Sequence, residues 1–77
     1  MMSKFEKLIK QMLDSRPTSY KDAESVLSKL GFELRIRGSH HVFAKPNYDK
    51  NVSLKIRPQL LPYQLRLIQE VLKEHGY

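Results

Sequence analysis

Hydrophobic positions near the start of the chain recur with helical spacing. Phe5, Leu8, Ile9, Met12 and Leu13 fall at i, i+3, i+4, i+7 and i+8, and Ser3 followed by Glu6 has capping-box spacing. A helix over residues 4–15 is expected, ending before Pro17, which cannot continue it. Ser19 caps a second helix whose apolar face runs Tyr20, Ala23, Val26, Leu27, Leu30, with Gly31 as its left-handed stop. There the period changes from 3.6 to 2. Phe32, Leu34 and Ile36 alternate with Glu33, Arg35 and Arg37, predicting a strand with one buried face. Residues 40–45 read as a second strand after the turn signal Gly38-Ser39, and Val52, Leu54 and Ile56 as a third, stopped by Pro58. Leu61, Leu65, Ile68 and Leu72, widened by Tyr63, Leu67 and Val71, predict a final helix with Pro62 in its first turn and Gly76 beyond its end. The expected architecture is α+β in the order ααβββα: two layers, with helices on one face of a three-stranded antiparallel sheet. Its other face is left open to solvent.

The hairpin decides what that open face carries. With Gly38-Ser39 as the central pair, Arg37 opposes His40 and Ile36 opposes His41. A turn centred on Arg37-Gly38 sets Arg35 against His40 and Leu34 against His41. Both registers turn His40 outward with Arg35 and Arg37, and send His41 and Phe43 toward the helices with Leu34 and Ile36. A three-residue loop reverses the assignment, because a slip of one residue exchanges the faces of a strand. Lys55 and Arg57 extend the same basic face if the third strand keeps its apolar residues inward. His75 falls at the chain's C-terminal helix end, where an imidazolium complements the helix dipole, and no functional role is expected of it.

Composition sharpens this picture. Fourteen Lys and Arg against 8 Asp and Glu give a net charge of +6 over 77 residues, which points to a polyanionic partner. Most of that charge lies between Arg35 and Arg57, where Arg35, Arg37, Lys45, Lys50, Lys55 and Arg57 face a single acid, Asp49. The chain has no cysteine, so packing alone must hold the fold and a cytoplasmic location is expected. No apolar run approaches the ~18 residues of a membrane span, and the first fifteen residues lack the continuous apolar stretch of a signal peptide. Adjacent histidines on a strand point to opposite faces, so His40-His41 is a poor chelating pair, and one acid in the basic window does not suit two-metal chemistry. Neither a phosphate-binding glycine loop nor a Ser-His-Asp set is apparent. No metal and no small-molecule cofactor are expected. Metal-free acid–base chemistry or pure binding remains.

The segment Gly38-Ser39-His40-His41-Val42-Phe43 resembles the signature of the HicA family of bacterial toxins from toxin–antitoxin systems. Its setting is similar too, from the helix ending Lys29-Leu30-Gly31-Phe32 to the closing Val71-Leu72-Lys73-Glu74-His75-Gly76-Tyr77, so the resemblance covers residues 20–77. The helix over residues 4–15 goes beyond the minimal family pattern, and residues 56–63 lack the histidine and later glycine that many members carry before the last helix. The resemblance implies a double-stranded-RNA-binding-domain-like fold, cleavage of messenger RNA with the histidine after Gly-Ser as the catalytic residue, hence His40, and a HicB-like antitoxin that blocks the site. On this expectation the whole of residues 1–77 is one HicA-like domain. His40 acts as general base, Arg35, Arg37, Lys55 and Arg57 hold phosphate, and the Gly38-Ser39 backbone approaches it closely. Two other readings stay open: a non-catalytic RNA-binding module using the same face, and an interaction protein whose leading helix docks an acidic partner.

Overall fold

The structure, a computed structural model, describes residues 2–77. Its elements are α1 (Lys4–Leu13), α2 (Tyr20–Lys29), β1 (Glu33–Arg37), β2 (His40–Ala44), β3 (Val52–Leu54) and α3 (Pro62–Glu74), the α+β order expected from the sequence. The strands form one antiparallel sheet in the order β1-β2-β3.

Local chemistry sets the helix ends. Ser3 and Glu6 close a reciprocal capping box, each side chain accepting the other's backbone N–H at 3.1 Å. Ser19 Oγ accepts the N–H of Asp22 at 3.2 Å, and Gln64 Oε1 accepts the N–H of Leu61 at 2.9 Å ahead of Pro62. All three helices stop in the same doubly bonded left-handed cap. In α2 the N–H of Phe32 reaches the carbonyl of Leu27 at 3.0 Å and that of Gly31, at φ +98°, reaches Ser28 at 3.1 Å. In α1 the equivalent bonds run from Arg16 to Gln11 and from Ser15 to Met12, with Ser15 at φ +58°. The first helix therefore ends at Leu13, two residues short of the expected 15, because Ser15 takes the position that glycine holds in the other two.

One apolar cluster joins all the helices to the sheet: Leu8, Ile9 and Met12 of α1, Tyr20, Ala23, Val26 and Leu27 of α2, Phe43, Val52 and Leu54 of the strands, and Ile68, Val71 and Leu72 of α3 are all buried. Tyr63, placed in the apolar stripe of α3 by its spacing, is instead 60% exposed, and Gln64 is buried in its stead.

Two strand expectations fail for non-local reasons. The third strand stops at Leu54 rather than Ile56. Leu54 lies opposite His41, so by continuation Ile56 falls opposite the turn residue Ser39, where β2 has run out of backbone to pair with. The chain there turns back toward the α1–α2 linker, Tyr20 N–H donating to the Arg57 carbonyl and Leu60 N–H to that of Thr18. Ile56 is left 69% exposed. Likewise β1 has no buried face. Leu34 and Ile36 do share a side of the sheet with His41, Phe43, Val52 and Leu54, but the helical layer lies under β2 and β3: the Tyr20 ring meets those of His41 and Phe43, and α3 packs on β3. The edge strand overhangs it.

Candidate functional site

The β1–β2 connection is a two-residue loop. Arg37 pairs with His40, Ile36 with His41 and Arg35 with Val42, so Gly38 and Ser39 are its central residues. Gly38 has φ +60°, the positive value that a type II′ hairpin asks of its first central residue. A side chain at position 38 would meet nothing within 4 Å, so glycine is required there by backbone conformation rather than by crowding. This register sets His40, Arg35 and Arg37 on the open face, each exposed, and His41 on the helix side. The His40 ring makes no hydrogen bond among the described residues.

The basic window separates into two groups. Lys45 and Lys50 turn to the end of the sheet away from the hairpin: Lys45 Nζ lies 2.9 Å from His75 Nε2, and Lys50 Nζ lies 2.7 Å from Glu74 and 3.8 Å from Glu70. His75 is thus a packing residue, set against Phe32 and Tyr48, with Nδ1 donating to the Val71 carbonyl. Arg35, Arg37, Lys55 and Arg57 are exposed and enter no ion pair among the described residues. Lys55 follows β3 opposite His40, whereas Arg57 lies beyond the strand and reaches the same region through the loop rather than by strand alternation.

His40, Lys55 and Arg57 line a cleft of about 350 Å³ together with Asn51, Ser53 and Tyr63, where β3 meets the first half of α3. A smaller depression of about 270 Å³ is lined by Arg35, Arg37, Val42, Ala44 and Asn51. Asn51 belongs to both. The sequence singled out none of Asn51, Ser53 and Tyr63. Ser53 carried a usable signal in its alternation between Val52 and Leu54; Tyr63 was hidden by a spacing that also fits a core stripe.

Residues 20–77 match the family model for the HicA toxin of bacterial toxin–antitoxin systems, a match that covers α2 to the last residue and leaves α1 outside. The chain belongs to the HicA toxin family. As a HicA toxin it belongs with a cognate antitoxin. Comparison with curated proteins and with solved structures found no match. No helix of this HicA chain, among the described residues, is long and apolar enough to cross a membrane.

The second histidine of the HicA chain is held from below. Tyr20 OH lies 2.7 Å from His41 Nδ1 and donates to Glu24 Oε2 at 3.1 Å. A hydroxyl carries one proton and a carboxylate only accepts, so His41 Nδ1–H must donate to Tyr20 for both bonds to exist. Burial, then the hydrogen bond and charge of Glu24, push the Tyr20 hydroxyl from 10.0 up to about 12. Replacing Tyr20 with Phe is expected to cost about 1–2 kcal/mol at neutral pH, since it strips partners from His41 and Glu24. A folded-state value above the unfolded one gives a contribution that is full below pH 10.0 and is lost as the pH rises through about 12. Urea unfolding of the parent and Tyr20→Phe should therefore show a gap that narrows upward from pH 10.0; a constant gap contradicts the assignment.

Proposed function

We propose that this HicA toxin is an endoribonuclease that cleaves messenger RNA without a metal ion, His40 acting as general base. The observation that carries the reading is the exposed, unbonded imidazole of His40 beside Arg37, Lys55 and Arg57 at the rim of an open cleft. His40 withdraws the proton of a ribose 2′-hydroxyl, the oxygen attacks the adjacent phosphorus as the bond to the 5′-oxygen breaks, and the 5′-oxygen takes a proton from water, giving a 2′,3′-cyclic phosphate and a 5′-hydroxyl. RNA brings its own nucleophile. Positioned proton transfer contributes ~10²–10⁴-fold, and the cations stabilise the charge that builds on the phosphoryl oxygens. Gly38 and Ser39 present backbone at an exposed turn, where a phosphate can come close. Residues 1–77 act as one unit, α1 contributing Leu8, Ile9 and Met12 to the shared core. The activity is exerted in the cytoplasm, and a HicB-like antitoxin silences it by covering the His40 face.

Incubation of the purified protein with RNA in excess EDTA tests this. New 5′-hydroxyl ends are expected. Binding without new ends leaves a non-catalytic RNA-binding module, and cleavage lost to EDTA overturns the metal-free mechanism. Binding to a labelled single-stranded RNA should also weaken steeply with salt, with a log–log slope near −3 if Arg35, Arg37, Lys55 and Arg57 each meet a phosphate at about 0.7 per contact. Each Arg→Ala change should flatten that slope by about 0.7, as fluorescence anisotropy can read; an unchanged slope removes that residue from the RNA surface.

A further inference from the structure

The β1 edge of the sheet is open, regular and chemically patterned. In a two-residue hairpin the residues flanking the turn exchange both backbone hydrogen bonds, and bonded pairs then alternate along the ladder. With Arg37 paired to His40, the backbone groups of Arg37, Arg35 and Glu33 face β2, and those of Leu34 and Ile36 face away from it. Among the described residues, Leu34 and Ile36 make none of the backbone hydrogen bonds outside the sheet either. Two N–H and two C=O groups therefore stand in register at the edge.

Side chains reinforce the pattern. Leu34 and Ile36, 38% and 62% exposed, form an apolar ledge on the side where the helical layer stops short. Arg35 and Arg37 project on the other side without an acidic partner among the described residues. Exposed edges are ordinarily blunted by charged side chains, proline, a bulge or extreme shortness. Over its five residues β1 has only the first of these, in Glu33, Arg35 and Arg37, which repel a like-charged strand and leave the edge open to an acidic one, whereas β3, at the opposite edge, has three residues and is soon followed by Pro58.

We propose that β1 is a docking edge for an extended protein segment in which acidic and apolar residues alternate. Such a segment adds a fourth strand, bonding to Leu34 and Ile36, setting its apolar side chains on the ledge and its carboxylates against Arg35 and Arg37. Charge selects this occupant over a second copy of the chain. Self-association would bring +6 against +6, and a two-fold pairing centred on Arg35 would oppose that arginine to itself. The proposal does not depend on RNA cleavage: it shares Arg35 and Arg37 with the phosphate surface, but its backbone groups and apolar ledge lie outside that surface and do not involve His40.

The probe is a capped peptide, Glu-Val-Glu-Val-Glu-Val-Glu, titrated into the 15N-labelled full chain at low salt. At saturation the Leu34 and Ile36 amides are expected to shift most and to exchange with deuterium at least tenfold more slowly. Ile36→Pro should abolish the effect: it deletes an outward N–H and spares the ladder to β2, which a retained Arg35–Val42 cross-strand contact verifies. Ile36→Glu, at an exposed site, should weaken binding about tenfold should the proline variant fold poorly. Equal binding of the Lys-for-Glu peptide overturns the proposal. So do shifts confined to Lys55 and Arg57, and so does a free protein that sediments as a dimer with Leu34 and Ile36 already protected.

Discussion

Replacing His40 with Ala is expected to lower RNA cleavage by ~10²–10⁴-fold and to relieve growth arrest on induction, while the unfolding transition stays where it was. The two halves of this expectation come from different features of one side chain. Its ring is exposed and makes no hydrogen bond among the described residues, so truncation opens no cavity and orphans no partner; surface changes of that kind stay within about ±0.5 kcal/mol. Activity, in contrast, loses its proton acceptor. His41→Ala is the instructive comparison. Its ring is half-buried against Tyr20, so its removal should lower stability first and affect cleavage only through the fold. Initial rates on a labelled RNA, taken beside circular dichroism melts of both variants, separate these effects. A His40→Ala protein that cleaves at the parent rate ends the catalytic assignment and leaves a surface that at most binds.

What could be read from the sequence was local, and what could not was set by distant partners. Serine caps, a glycine after α2 and the two-residue Gly38-Ser39 turn act over three to five residues, which is why the element order and the outward direction of His40 were legible. The end of β3 was not, because it depends on where β2 runs out of residues to pair with. Lys45 and Lys50 counted toward the basic window in sequence, yet their partners His75 and Glu74 lie 30 and 24 residues away, and of that window Arg35, Arg37, Lys55 and Arg57 have no such engagement among the described residues. Period-2 alternation correctly sorted the two sides of β1. It carries no information about how far a helical layer extends beneath a sheet, and so it could not tell a buried apolar position from an overhanging one.

That distinction sets up the largest expected effect on stability. Phe43 and Ile36 lie on the same side of the sheet, in adjacent strands, and alternation ranks them alike. Phe43 is 0% exposed and packs beside Tyr20 with ring centroids 6.3 Å apart, whereas Ile36 is 62% exposed. Phe43→Ala should cost ~3–5 kcal/mol, the lost transfer energy plus the cavity left behind. A chain of this size holds only ~4–12 kcal/mol in total, so the loss removes about a quarter of it or more and the melting point drops by ~12–40 °C. Cleavage disappears with the fold, unlike the loss at His40. Phe43→Leu, which keeps most of the volume, should recover all but about 1.5 kcal/mol. Ile36→Ala should stay within about ±0.5 kcal/mol. Equal losses at the two positions would mean that the helices extend under β1 and bury Ile36, and the open edge with its apolar ledge would then not exist.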